Sequence, residues 1–172
     1  PDECPEALAV VINACTIIQE NLYECDLPIL LRGGISEGDF YADNTFMFGK
    51  GLIKAYLAQE NCAIYPRIIV SQDLVKNSIA AIDGEKSLLL GNKNILAIDD
   101  DLYYFINTLE YYLVNPKDKW SDVIRSEKYK RINQVIEDQL NGYGNERVRN
   151  KYIWLRKQLN QIKIRLEDNE NS

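Results

Sequence analysis

From Leu8 onward, apolar residues recur at steps of three and four, at Leu8, Val11, Ile12, Cys15, Ile18 and Leu22. This is one stripe of an α-helix over 5–24, and Pro5 suits its first turn because the N–H it lacks would have no intrahelical acceptor there. Pro28 closes the connection to Ile29-Leu30-Leu31-Arg32-Gly33-Gly34-Ile35, which reads as a buried strand whose glycines permit close packing. A second strand, Asp39-Phe40-Tyr41, follows the turn Ser36-Glu37-Gly38, and the two are expected to pair as an antiparallel hairpin. A helix over 52–61 sets Leu52, Ala55, Tyr56 and Gln59 on one face and ends near Cys62. Next come Arg67-Ile68-Ile69-Val70-Ser71, expected as a central strand, and a short helix over 73–82. Two strands within 95–106, joined across Asp99-Asp100-Asp101, complete an α+β pattern.

The pattern changes at Asn115-Pro116. Two long helices are expected beyond it, about 120–140 and 146–167, joined by Asn141-Gly142-Tyr143-Gly144-Asn145. In the second, Val148, Tyr152, Leu155, Leu159, Ile162 and Leu166 follow the spacing of a coiled-coil seam, so an αα-hairpin is predicted. Charge divides at the same place. Residues 1–116 hold 7 Lys+Arg against 17 Asp+Glu, and residues 117–168 hold 13 against 8. The organisation expected is an α+β portion over 1–116 and a helical hairpin over 117–172. The hairpin is a candidate dimerisation element, and opposite charge favours its docking on the acidic portion, in cis or across a dimer.

Composition narrows the chemistry. The 172 residues are 46% hydrophobic and 27% charged, too apolar for a disordered chain, and no apolar run approaches the roughly 20 residues that cross a bilayer. No signal-like stretch opens the chain, so a cytoplasmic location is the default and no membrane partner is expected. The absence of histidine removes Ser-His-Asp and Cys-His catalysis and most zinc sites, leaving carboxylates, lysines, tyrosines or a bound metal. Cys4, Cys15, Cys25 and Cys62 form no CxxC pair and read as reduced thiols. The basic helices interleave Lys and Arg with Asp and Glu in a chain of net charge −6, which lacks the electrostatic footprint of nucleic-acid binding.

Three stretches carry a resemblance through their order and spacing. They are Leu31-Arg32-Gly33-Gly34-Ile35-Ser36-Glu37-Gly38-Asp39, then Phe48-Gly49-Lys50-Gly51-Leu52-Ile53-Lys54-Ala55-Tyr56, then Ala63-Ile64-Tyr65-Pro66-Arg67-Ile68-Ile69-Val70-Ser71. Asp101-Leu102-Tyr103-Tyr104-Phe105-Ile106 and Lys151-Tyr152-Ile153-Trp154-Leu155 extend it. Together they resemble the latter half of a class III nucleotidyl cyclase domain, in particular the bacterial pyrimidine cyclases of Pycsar antiphage defence. The resemblance implies a ferredoxin-like sheet with helices on one face, its N-terminal strands lying upstream. It implies conversion of UTP or CTP to the 3′,5′-cyclic monophosphate with release of pyrophosphate, in a homodimer, with Mn or Mg. The family's two metal-holding aspartates precede the helix that corresponds to 5–24. They are expected upstream of Pro1, and the chain taken alone is expected to be inactive, with no metal ligand of its own.

By the same resemblance Phe46 stands two residues before the Phe-Gly pair, where purine cyclases carry an acidic reader of the base edge. A phenyl ring stacks but accepts no hydrogen bond, which disfavours adenine. The asparagine and arginine that orient ribose and stabilise the transferring phosphoryl group in purine cyclases align with Ile53 and Leu57, and Gln59 stands where the pyrimidine branch usually shows Glu. Phe46, Lys50 and Arg67 are the substrate-binding candidates. Two of them have a plainer reading, Lys50 as a solvated lysine and Arg67 as the partner of an internal carboxylate, and Lys54 is a weaker phosphate candidate than Lys50. Gly33-Gly34 reads as a packing device before a phosphate cradle. Asp99-Asp100-Asp101 invites a metal, yet aspartate is common in turns for its own hydrogen bonds. Tyr103, Tyr104, Tyr111 and Tyr112 read as a packed strand face and its edge before a base-stacking platform. Two alternatives stand beside the enzyme: a catalytically inactive cyclase-like module for nucleotide sensing or dimerisation, and a helical-hairpin interaction protein.

Overall fold

The computed structural model describes residues 5–26, 28–81, 95–114, 121–142 and 145–170. Its elements run α1 (Pro5–Tyr23), β1 (Gly33–Ile35), β2 (Tyr41–Ala42), β3 (Met47–Phe48), α2 (Lys50–Asn61), β4 (Ile68–Val70), α3 (Gln72–Ala81), β5 (Leu96–Ile98), β6 (Tyr104–Ile106), α4 (Thr108–Val114), α5 (Ser121–Asn141) and α6 (Glu146–Glu170). Four strands form a mixed sheet in the order β1-β4-β6-β5. β1 runs parallel to β4, while β4 with β6 and β5 with β6 are antiparallel. The chain is thus α+β, and the boundary expected at Asn115-Pro116 lies outside the described residues.

The expected hairpin between 29–35 and 39–41 does not form. β2 pairs instead with β3 in a separate two-stranded ribbon, Tyr41 opposite Phe48, and β1 takes β4 as its neighbour. The reason is the backbone between them: Gly38 at φ 157° and Gly49 at φ 151° bring 38–40 against the start of α2, where Gly51 N–H donates to the Asp39 carbonyl. Helices also cover both faces of the sheet, not one. Successive strand residues point to opposite faces. Ile68, Val70 and Ile106 accordingly pack with Leu8, Ile12 and Val75 from α1 and α3. Ile69 and Phe105 pack with Trp154, Leu155 and Leu109 from α6 and α4. β4 is buried throughout, as a central strand should be.

Two helices turn differently from the face the periodicity picks out. In α1 the buried line is Leu8, Ile12, Thr16, Gln19 and Tyr23, while Val11 and Ile18 are exposed. Polar residues are tolerated inside because their bonds are met. Thr16 Oγ1 donates to the Ile12 carbonyl at 2.8 Å, and Gln19 both donates to the Ile29 carbonyl and accepts from the Leu31 N–H, each at 2.8 Å. In α2 the inward residues are Gly51 and the half-buried Ala55, Ala58 and Gln59, with Leu52 and Tyr56 facing out. Small residues are needed there because α2 lies directly on β1: a Cβ built on Gly34 would stand 2.3 Å from the Ala55 carbonyl oxygen.

The sequence pattern does not anticipate α4, which carries Tyr111 and Tyr112 on a helix where a strand was expected. Tyr112 stacks tilted on Tyr23 at 5.0 Å and donates to Glu24, while the Tyr23 and Thr108 hydroxyls bond at 3.2 Å. The α5–α6 hairpin shares this core. Ile132, Ile136, Leu155, Leu159 and Ile162 are buried, whereas Val148 at the start of the predicted seam is exposed.

Two predictions follow from this packing. Gly34→Ala should destabilise the fold by about 3 kcal/mol in urea denaturation, since the clash is with backbone that has no rotamer to escape through. Gly33→Ala, whose added Cβ meets Ile68 at an ordinary 3.7 Å, should change stability by no more than about 1 kcal/mol. Alkali supplies the second. Burial pushes the Tyr23 phenol up to about 12, against the smaller opposing effect of its Thr108 bond, and burial followed by the Glu24 bond pushes Tyr112 in the same direction. The unfolded phenols ionise near pH 10, so stability should hold below that and fall as pH rises from about 10 toward 12. Tyr23→Phe should flatten part of that slope in unfolding curves recorded across this range.

Candidate functional site

The three substrate-binding candidates occupy two separate places. Phe46 sits in the turn between β2 and β3. Asp43 Oδ1 accepts from the Thr45 and Phe46 N–H groups at 2.7 and 3.0 Å, and Asp43 N–H donates to the Phe46 carbonyl at 3.0 Å. Those donors hold the Asp43 carboxyl below its ordinary range. The turn displays an aromatic cluster in which Phe46 lies 5.9 Å from Phe48 and 6.1 Å from Tyr41, all three exposed. Lys50 follows β3 as the first residue of α2 and is exposed. Lys54, one turn on, reaches the Glu37 carbonyl at 3.4 Å. Ile53 and Leu57 are exposed apolar side chains of the same helix. Ribbon and helix start therefore present rings, aliphatic side chains and a lysine to solvent.

Arg67 is placed elsewhere and is buried. Its guanidinium lies 5.3 Å from the Tyr65 ring centre, 5.8 Å from Phe105 and 5.9 Å from Trp154. Nη1 and Nη2 bind the carboxylates of Asp99 and Asp101 respectively, Nη1 also meets Asp101 Oδ1 at 3.1 Å, and Nη2 donates to the Cys62 carbonyl at 3.3 Å. Asp99 in turn accepts from the Trp154 indole N–H at 2.5 Å, and Asp100 binds Lys157. Tyr65 stacks on Trp154 at 5.5 Å, nearly parallel. A cation removed from water at this depth is held only because two carboxylates and three ring faces replace its hydration.

The three aspartates that invite a metal are thus engaged by Arg67 and Lys157, and the described residues contain no group of three acidic or thiol side chains arranged for an ion. The turn that carries them is strained. Leu102 adopts φ 65°, a left-handed conformation uncommon outside glycine, and its N–H donates to the Asp99 carbonyl at 2.8 Å. Nothing in the sequence points from Arg67 to Trp154. The clue available was Arg67 itself, a cation beside an apolar run, read either as the partner of an internal carboxylate or as a nucleotide contact, and the structure shows the carboxylates.

Among the described residues Cys15, Cys25 and Cys62 are free thiols, and burial pushes the Cys15 thiol up, as suits a packing residue. No helix of the described residues is long and apolar enough to cross a membrane. Comparison with protein-family models, with curated proteins and with solved structures returns no match.

Arg67→Met should lower stability by about 3–5 kcal/mol, because Asp99 is left charged and buried without its partner. Adding Asp99→Asn to that variant should restore part of the loss. Lys157→Gln breaks a pair whose carboxylate is largely solvated and should cost less than about 1 kcal/mol. Denaturant unfolding of the three variants reads all of these values.

Proposed function

We propose that these residues are the C-terminal portion of a pyrimidine nucleotide cyclase domain acting in antiphage signalling. In that reaction the ribose 3′-hydroxyl of UTP or CTP attacks the α-phosphorus. The new O3′–P bond forms as the bond to the β-phosphate oxygen breaks, pyrophosphate leaves, and the hydroxyl proton passes to a base or solvent. One observation carries the reading: the three stretches that bear the resemblance pack on one another. Gly34 of the first lies against Ala55 of the second, and β1 of the first runs beside β4 of the third. The edge of β1 away from β4 pairs with no strand among the described residues, which suits a fold with strands contributed from outside them.

Within this reading Phe46 stacks on the pyrimidine and Lys50 meets the triphosphate. Arg67 reaches nucleotide only by releasing Asp99 and Asp101, so it acts as a positioning residue that orders the β5–β6 turn. Among the described residues no cluster of carboxylates is arranged for the two divalent ions that the family uses, and by the resemblance those ions would be held by carboxylates outside them. A homodimer is part of the same proposal. The exposed Ile53 and Leu57 favour a second reading, a non-catalytic module for nucleotide sensing or dimerisation, because they stand where purine cyclases carry polar readers of ribose and phosphate.

The protein in its full encoded length, incubated with each of the four ribonucleoside triphosphates and Mn²⁺ or Mg²⁺, should yield cyclic UMP or cyclic CMP by mass spectrometry. Phe46→Ala should raise KM about tenfold through the lost stacking. Absence of a cyclic product from all four rejects the enzyme, and triphosphate binding without turnover selects the module.

A further inference from the structure

A groove separates the first turns of α6 from the loop that precedes β4, and neither Phe46 nor Lys50 lines it. Arg147, Asn150, Lys151 and Ile153 form one wall, Ile64 and Tyr65 the other, and residues 99–101 close one end. Its volume is about 630 Å³, within the range that encloses a small organic ligand. Lys151 also borders a second cavity of about 260 Å³, which Arg32, Pro66 and Tyr152 help to line.

The charge balance of the groove sets its preference. The acidic end is largely met internally, Asp99 and Asp101 by Arg67 and Asp100 by Lys157, so three carboxylates face two cations and a single negative charge remains there. Arg147 and Lys151 stand one helical turn apart, and among the described residues neither side chain has an ion pair or hydrogen bond. Beside these two cations the lining is apolar and flat. Tyr65 is backed by Trp154 at an interplanar angle of 5°, and Ile64 and Ile153 are each about half exposed there, at 55% and 47%. Two cations without an internal partner outweigh that single residual charge, and next to a rigid aromatic plate they select a ligand with an anionic group and a planar ring.

We propose that this groove binds a small organic phosphate of mononucleotide size, its ring against Ile64, Tyr65 and Ile153 and its phosphate between Arg147 and Lys151. The site shares no ligand-facing residue with the proposed cyclase pocket and stands independently of that reading.

Isothermal titration of the purified chain with AMP, GMP, CMP and UMP, and separately with inorganic phosphate, tests it. At least one nucleotide should bind, more weakly as salt is raised. Inorganic phosphate should bind about tenfold or more weakly, since it has no ring to place. The double variant Arg147→Gln, Lys151→Gln should lose about tenfold in affinity or more, with an unchanged thermal midpoint because neither side chain is buried. The proposal is overturned if no nucleotide binds at millimolar concentration, if phosphate binds equally well, or if the double variant keeps its affinity.

Discussion

A single buried cation organises the molecule. Arg67 precedes the central strand, and its guanidinium has no access to water, so the chain must bring charge and polarisable surface to it. Asp99 and Asp101 arrive from the β5–β6 turn, Phe105 from β6 and Trp154 from α6. Trp154 completes the arrangement by donating to the same Asp99 carboxylate, so the indole is fixed by a hydrogen bond on its edge and by Tyr65 on its face. Sheet, turn and C-terminal helix are therefore registered at one point, and the strained Leu102 is retained because both carboxylates flanking that turn are committed to Arg67.

The charge asymmetry of the chain has its explanation in the same docking. Basic side chains of the helical hairpin meet acidic ones of the α+β portion at Arg131 with Glu24, Lys157 with Asp100 and Arg165 with the buried Glu110. Glu110 also accepts from Asn107 at 2.7 Å, so a charge inside the core has two donors. The hairpin's positive excess is in part the complement of a surface in the same chain, which accounts for it without a nucleic-acid partner. What is left over, at Arg147 and Lys151, is the part of that excess that faces an open groove.

A second constraint acts at the far side of the sheet. Because Gly34 and Gly51 let backbone approach backbone, α2 presses onto β1 and onto the 38–40 segment, and its larger apolar side chains are turned outward. Together with the exposed rings of Tyr41, Phe46 and Phe48 they form the surface on which the nucleotide proposal rests. The close approach fixes the spatial relation between the stretches that resemble a cyclase, while the rings of Tyr41, Phe46 and Phe48 pack on one another and stay exposed.

The sequence by itself determined most of the elements, though not β3 or α4. Three- and four-residue apolar spacing set α1, α2 and α6 within a few residues, short apolar runs set β4, β5 and β6, and the turn-forming aspartates set their connection. It also left Arg67 between an internal carboxylate and a nucleotide contact. Tertiary structure decided which carboxylates, because Asp99 and Asp101 lie more than thirty positions away and nothing local points to them. It also decided the partner of β1, the inward face of α1 and the helical state of 108–114. Each of those depends on contacts between distant segments: a glycine that admits a helix backbone, a glutamine that caps a neighbouring strand's approach, a tyrosine pair closed over a core. Periodicity records that a face is apolar, and only packing selects which of two adjacent apolar faces is covered.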